Sequence, residues 1–459
     1  MPVSCRVAVI GLGKLGTCLA AFLASKGLDV IGVDVERETV ARLNRGQTAL
    51  KEPGLGELIT AHRDRLRATH DYGQAVANSE VTFIIVPTPS EPDGGFSLRF
   101  VAQAAREIGR SLATKAGYHL VVLTSTVVPG STVGRIRPIL EEASGKACGE
   151  DFGLCYNPAF ISLGSVLRDL VRPDFVLIGQ SDERAGRQLE EIHRSLCGAS
   201  VPIVRMNIVN AELTKLAVNT FVTTKISFAN MLAQLCEQLP DADIDVVTGA
   251  LGLDARIGRR YLTGALGYGG PCFPRDNQAL IALARQLGRP SFIAEATDQL
   301  NRAYHEGVLE RIQSFLTPGM TIGVLGLAYK PLTDVVDESP GLSLAQRFSA
   351  AGYRVVVCDP LAMDRARSVL GGSVSYAGSP KDCIAEADAV IFTTPAQEFA
   401  RLEADDFPVR ERGMIVFDPW RILRKQLSGV AHLTYVPLGV GPHQASVGAP
   451  SDDIRSPVA

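Results

Sequence analysis

This 459-residue chain has no long apolar run. No stretch reaches the roughly 18 residues that a membrane-spanning helix needs, so an integral helical membrane protein is excluded. It also lacks a charge imbalance. Its 46 Lys and Arg stand against 49 Asp and Glu, a net charge of −3. That near-neutrality argues against a general nucleic-acid or membrane-surface partner. There is no disulfide framework either: nine cysteines, an odd number without regular spacing, suit a reducing cytoplasm. The start, Met1-Pro2-Val3-Ser4-Cys5-Arg6, runs directly into a strand and carries no signal-peptide pattern. No metal centre is expected. The 46% hydrophobic and 21% charged residues are ordinary for a soluble globular protein, and the length calls for two or three domains.

The most informative stretch is Gly267-Tyr268-Gly269-Gly270-Pro271-Cys272-Phe273-Pro274-Arg275-Asp276. Glycines allow close approach of the backbone to a ligand or to another segment. Pro271 and Pro274 stiffen the turn that carries the thiol. A helix starting near Cys272 would favour its thiolate through the N-terminal dipole, with Asp276 one turn on. The plainer reading is a buried structural cysteine in a turn.

The N-terminal third carries a dinucleotide fingerprint. Arg6 to Ile10 forms a buried strand, followed by Gly11-Leu12-Gly13-Lys14-Leu15-Gly16 and a helical run from Thr17 to Ser25. A second strand, Asp29 to Val33, ends at Asp34. Gly11 makes the tight turn, Gly13 admits the pyrophosphate, and Gly16 lets helix and strand pack closely. The helix N-terminus attracts phosphate charge. Asp34 is placed to accept both ribose hydroxyls and would repel a 2′-phosphate, so NAD is favoured over NADP. Two further strands, Val81 to Val86 and Leu120 to Thr124, end in Pro87-Thr88-Pro89 and Ser125-Thr126-Val127. Ligands of open parallel sheets sit at such carboxyl ends, although Ser and Thr there also serve as helix caps.

Ala211 to Leu239 has a helical apolar repeat and few breakers. Lys215 and Asn219 share one face at i, i+4, which on spacing alone suits a solvated polar face better than a site. Helix continues from Ser291 to Phe315. At Met320 the α/β pattern restarts, with strands at Thr321–Leu325, Tyr353–Cys358, Ala389–Thr393 and Met414–Phe417 and a helix at Leu342–Ala350. Without a second Gly-x-Gly-x-x-Gly, this unit is expected to hold a different ligand. A simple 2-hydroxy-acid or 3-hydroxyacyl dehydrogenase has no need of such a unit or of a cysteine nucleophile.

Taken together, these motifs resemble the nucleotide-sugar 6-dehydrogenase family, the UDP-glucose and GDP-mannose dehydrogenases, over nearly everything from Arg6 to about Val440. Glu52-Pro53-Gly54-Leu55, Ser125-Thr126-Val127, Asn157-Pro158, the Lys215/Asn219 helix and Arg256-Ile257-Gly258 carry the likeness. So do the Cys272 loop, Ala328-Tyr329-Lys330, Thr333-Asp334, Glu338-Ser339-Pro340, and Asp418 with Arg421. The resemblance implies an α/β fold of two Rossmann-like parallel-sheet domains joined by a long central helix that also builds a dimer. It implies an NAD domain at 1–205, a helical dimerisation region with the cysteine loop at 206–315 and a nucleotide-sugar domain at 316–440. The tail at 441–459, rich in Gly, Pro, Ser and Asp, is expected to be disordered on composition.

The family reaction oxidises a sugar C6 alcohol to a carboxylate in two hydride transfers. By that analogy Cys272 is the nucleophile, Lys215 stabilises an oxyanion or accepts the alcohol proton, Asn219 orients water or substrate, and Asp276 acts as base. Thr126 joins these catalytic candidates. Cofactor contacts fall to Gly11, Gly13, Leu15, Asp34, Thr88, Pro89, Ser125, Thr126 and Arg275. Substrate contacts fall to Phe160, Lys215, Asn219, Arg256, Tyr268, Gly269, Tyr329, Lys330 and Arg421, the last reaching substrate across a subunit interface as in relatives. Phe160 and the segment Cys272 to Asp276 look like the UDP-glucose branch.

Three positions depart from the family pattern. Asn-Pro-Glu-Phe is here Asn157-Pro158-Ala159-Phe160, a second glutamate four residues on is Leu163, and the arginine before Glu-Ser-Pro is Asp337. The resemblance assigns the missing glutamate to acid/base work in thioester hydrolysis. UDP-glucose is the default substrate; the alternatives are the same oxidation on a dTDP- or GDP-linked sugar, hydrolysis by Asp276 alone or by another carboxylate, an enzyme stalled at the aldehyde or thioester, and a non-catalytic nucleotide-sugar sensor.

Overall fold

The computed structural model describes residues 5–442. The tail expected to be disordered lies, from residue 443 on, outside the described residues. Two open sheets dominate. The first contains β1 (Arg6–Ile10), β2 (Asp29–Val33), β3 (Leu66–Thr69), β4 (Val81–Ile84), β5 (His119–Leu123), β6 (Phe152–Tyr156), β7 (Val176–Gln180) and β8 (Ile203–Asn207), in the order β3-β2-β1-β4-β5-β6-β7-β8. The second contains β9 (Thr321–Leu325), β10 (Arg354–Cys358), β11 (Ser375–Tyr376), β12 (Ala389–Phe392), β13 (Met414–Asp418) and β14 (Leu433–Pro437), in the order β11-β10-β9-β12-β13-β14. Only the β6–β7 pair is antiparallel among the described strands.

The inner strands are buried on both faces, which is why they read as continuous apolar runs. Successive residues alternate between two cores. Val7, Val9, Phe83 and Val122 pack on one side of the first sheet, while Ala8, Ile10, Ile84 and Leu123 pack on the other. In the second sheet Ile322, Val324 and Ile391 face one core and Leu325, Val390 and Phe392 the opposite one.

Both sheets open with the same turn. A Cβ on Gly16 would lie 1.8 Å from Gly11 O, and one on Gly341 would lie 2.2 Å from Gly326 O. The helix after the first turn begins at Lys14, three residues before the expected Thr17. After the second turn, residues 327–339 intervene before the helix at Pro340–Ala350. That insertion carries Tyr329 and Lys330. It also changes the acid at the end of the second strand. Asp34 accepts Leu12 N at 2.6 Å and Glu36 N at 2.9 Å, leaving lone pairs for a ribose. Asp359, its counterpart after β10, accepts four backbone N–H groups, from Leu327, Ala328, Leu361 and Ala362. Its carboxylate is saturated, so the second sheet cannot hold a ribose as the first can.

A helix at Ile208–Gln238 joins the halves, capped by Asn207, whose side chain accepts Asn210 N. Two more helices, Phe273–Gln286 and Phe292–Gln313, pack against it.

Candidate active site

Cys272 is the N-cap of the helix Phe273–Gln286, with Pro274 in its first turn and Asp276 N donating to Cys272 O at 2.9 Å. Proline suits that position because its missing N–H would have no helical partner. The loop before it is held in close contact with the 327–339 insertion. A Cβ on Gly270 would meet the Tyr329 ring at 2.4 Å, and one on Gly269 would meet Glu338 O at 1.9 Å. Gly270 N donates to Asp337 O at 3.0 Å.

Lys215 and Asn219 do not lie on a solvated face. Lys215 is buried, and its Nζ donates to Ala159 O at 2.9 Å and stands 4.8 Å from the centre of the Phe160 ring. Asn219 donates from Nδ2 to Asp276 Oδ2 at 2.6 Å. Spacing alone suited a solvated face better; packing of the central helix against the cysteine helix decided otherwise.

Charge and burial compete here. Burial lowers the Lys215 pKa, against the opposing pull of Asp276 and Cys272. Burial raises the Asp276 carboxyl, opposed by Lys215, the Asn219 hydrogen bond and Arg275. Solvent reaches Cys272, but protein surrounds its thiol closely enough that burial, then Asp276, pushes the pKa up. Lys215, Arg275 and Lys330 pull it down without reversing the shift. Burial therefore outweighs the nearby cations at this thiol in the ligand-free arrangement.

Arg275 ties this loop to the cofactor sheet. It donates to Thr88 Oγ1 at 3.1 Å and lies 4.3 Å from the Phe96 ring centre. Thr88 in turn donates to Thr126 O at 2.8 Å. Ser125 Oγ accepts Val86 N at 2.9 Å and donates to Val86 O at 2.7 Å, so this hydroxyl staples two strand ends. Pro89 O accepts Ser97 N nearby at 2.8 Å. From the second half, Lys330 Nζ bonds Ser162 Oγ, closing the insertion onto the loop that follows Ala159.

The glycine turn fits a dinucleotide. A Cβ on Gly11 would lie 2.2 Å from Ile85 O, so only glycine fits. At Gly13 nothing lies within 4 Å, leaving open space above the turn beside the helix start that carries Leu15. Gly11, Gly13 and Asp34 would hold the cofactor.

Three predicted contacts stand differently. The Arg421 guanidinium is engaged within the chain. It has left-handed φ of 57° and binds Asp245 through Nε at 2.8 Å and Nη2 at 3.0 Å. Nη1 donates to the carbonyls of Gly264, Pro419 and Leu438, and Nη2 also to Thr263 O. Its role here is to fasten the second sheet to the central region. Arg256 stands apart, with its side chain 87% exposed and paired to Asp254 at 2.6 Å. Tyr268 is buried, its ring set edge-on to Phe273 and its backbone N–H and C=O both bonded to Asn301. Of the departures, Leu163 packs against the first core and Asp337 is exposed.

Two anchors had no role assigned from the sequence: Glu52, quoted only as a landmark, and Glu212. Glu52 accepts Gly164 N at 2.8 Å and Val166 N at 2.7 Å, fixing the loop after Phe160. Glu212, fully buried one turn before Lys215, accepts Gly130 N at 2.6 Å and Thr132 N at 2.9 Å. Its i, i+3 spacing to Lys215 was the available signal.

A cofactor turn, a cysteine at a helix start and a buried Lys–Asn–Asp group between two Rossmann-like sheets define an NAD-dependent oxidoreductase. The chain belongs to the UDP-glucose/GDP-mannose dehydrogenase family. The family's NAD binding domain matches residues 5–197, its central domain 209–303 and its UDP binding domain 323–425. A UDP-glucose 6-dehydrogenase of Haloferax volcanii is 40% identical over 92% of this chain and 98% of its own length. A GDP-mannose 6-dehydrogenase of Pseudomonas aeruginosa is 34% identical over 77% of this chain and 81% of its own. Among solved structures, a UDP-glucose dehydrogenase from Pyrobaculum islandicum is 36% identical, with TM-score 0.87, covering 96% of this chain and 98% of that one.

Proposed function

We propose that this protein oxidises C6 of UDP-glucose to the carboxylate in two steps through a thioester on Cys272. The observation that carries the reading is the convergence of Lys215, Asn219 and Asp276 around Cys272, with Arg275 reaching Thr88 at the cofactor strand ends. Gly11, Gly13 and Asp34 would hold NAD, one molecule per oxidation, which would supply the hydride acceptor. Lys215, its pKa lowered by burial, takes the alcohol proton as the first hydride leaves. The Cys272 thiolate then adds to the aldehyde carbon, and Lys215 stabilises the oxyanion. Loss of the second hydride leaves the thioester. Asp276, held by Asn219, accepts a proton from the water that cleaves it. Lys330, Tyr329, Phe160 and the backbone at Gly269 line the sugar and phosphate positions.

Central-helix residues Val209, Leu213, Phe221, Phe228 and Leu235 remain exposed and apolar. A stripe of this kind supports a homodimer. The cysteine usage and the absence, among the described residues, of a helix able to cross a membrane fit a cytoplasmic enzyme.

The test is stoichiometry: purified protein with NAD and UDP-glucose yields two NADH per sugar. No NADH from UDP-, dTDP- or GDP-sugars would overturn the reading. Ala159 favours a second reading, an enzyme that halts at the thioester, because the carbonyl rather than a carboxylate meets Lys215. Intact-mass analysis of a quenched reaction separates the two: a persistent adduct on Cys272 supports the halt, and full turnover excludes it.

A further inference from the structure

The loop ahead of Cys272 is gripped from behind by side chains that touch neither cofactor turn nor thiol. Asn301, on the helix Phe292–Gln313, is buried at 8% exposure. Its Oδ1 accepts Tyr268 N at 2.9 Å and its Nδ2 donates to Tyr268 O at 3.0 Å. One amide thus satisfies both polar backbone groups of a single loop residue. The fit is tight, since a Cβ on Gly267 would stand 2.5 Å from Asn301 Oδ1. Two neighbours hold the preceding residues: Asn230 Oδ1 accepts Ala265 N at 3.0 Å, and Tyr304 OH donates to Ala265 O at 2.6 Å. With the Tyr268 peptide groups engaged, the N–H groups of Gly267 and Gly269 have no protein acceptor among the described residues.

We infer that Asn301 is a positioning residue for the oxidation. It fixes the Tyr268 backbone before substrate arrives, so that the adjoining N–H groups face an oxygen-rich ligand and Cys272 stays in register with Lys215. A buried Asn with both halves engaged at one residue discriminates between backbone conformations, because any flip of that peptide strands a buried donor or acceptor. The role as a catalytic support rests on the proposed UDP-glucose oxidation, but the clamp itself does not.

Hydrogen exchange on the ligand-free wild-type enzyme tests the clamp independently of substrate identity. The Tyr268 amide is expected to be protected without ligand; free exchange there, with protection appearing only on UDP-glucose addition, would overturn the inference. Steady-state kinetics then test its use. Asn301→Ala is expected to lower kcat/KM for UDP-glucose about 10- to 100-fold, leaving the NAD dissociation constant within about twofold. Asn301→Asp keeps the acceptor for Tyr268 N but can donate to Tyr268 O only when protonated, so it is expected to recover part of the loss as the pH is lowered. A folded Asn301→Ala enzyme with unchanged kcat/KM, or one that loses NAD affinity in parallel, refutes a positioning role. If wild type makes no NADH while the amide is protected, the substrate assignment fails and the clamp stands.

Discussion

Asn219 and Asp276 meet across two helices, with Nδ2 donating to Oδ2 at 2.6 Å. The bond fixes the carboxylate next to Cys272, whose thiol that carboxylate raises. Asp276→Asn should therefore separate two effects. Removing the anion lets the thiolate form at lower pH, so the pH profile of Cys272 alkylation by iodoacetamide moves to the acid side. Turnover falls by roughly 10²–10⁴ because the base is gone. An unmoved alkylation profile would mean that Asp276 does not govern the thiol.

Lys215 should trade stability for activity. Burial holds its pKa below the ordinary 10.5, so the unfolded chain binds more protons than the folded one. Stability then rises with pH through the window from the lowered folded value up to about 10.5. Lys215→Met removes that dependence and is expected to stabilise the fold by about 1 kcal/mol at neutral pH. NADH formation drops on the order of 10²–10³-fold. Urea unfolding at pH 7 and pH 9, with stopped-flow absorbance, checks both.

Arg421→Ala should act on folding before it acts on substrate. Its guanidinium is buried and its partner Asp245 is 41% exposed, so the loss is placed at about 3 kcal/mol, the lower end for a broken buried pair. A variant of unchanged stability but raised KM for UDP-glucose would restore Arg421 to the substrate.

Ala159→Glu places a carboxylate beside the carbonyl that now receives Lys215 Nζ. If water attack on the thioester limits turnover, kcat rises about tenfold or more. An unchanged kcat would show that Asp276 already suffices.

The central-helix stripe gives the last expectation. Phe221→Glu with Phe228→Glu puts charge into two exposed apolar positions, 67% and 45% accessible. Light scattering should report a monomer where wild type gives a dimer.

Much of this was legible in the chain. Glycine spacing, buried strands of period two and an acid at a strand end are local signals, so Gly11, Gly13, Gly16 and Asp34 could be placed from residues alone. The cysteine at a helix start was legible from two prolines and the aspartate one turn later. Boundaries moved by a few residues, as with the first helix, because backbone bonding and not side-chain pattern sets the last turn.

Tertiary structure decided the rest, because burial and long-range pairing leave no periodic trace. Lys215 and Asn219 looked equally fit for solvent until the cysteine helix packed on them. Arg421 was expected to reach substrate across a subunit interface; no pattern in the sequence showed that Asp245 and four carbonyls, three of them distant in the chain, engage its donors within the chain. Asp359 copies Asp34 in sequence position yet accepts four backbone N–H groups, two from Leu327 and Ala328 at the start of the insertion and two from Leu361 and Ala362 just after Asp359 itself. The sequence by itself determined which chemistry is available, a thiol, an amine and a carboxylate beside a dinucleotide turn. The fold determined which of those groups are dehydrated and which are already engaged, and desolvation and hydrogen-bond partners set reactivity.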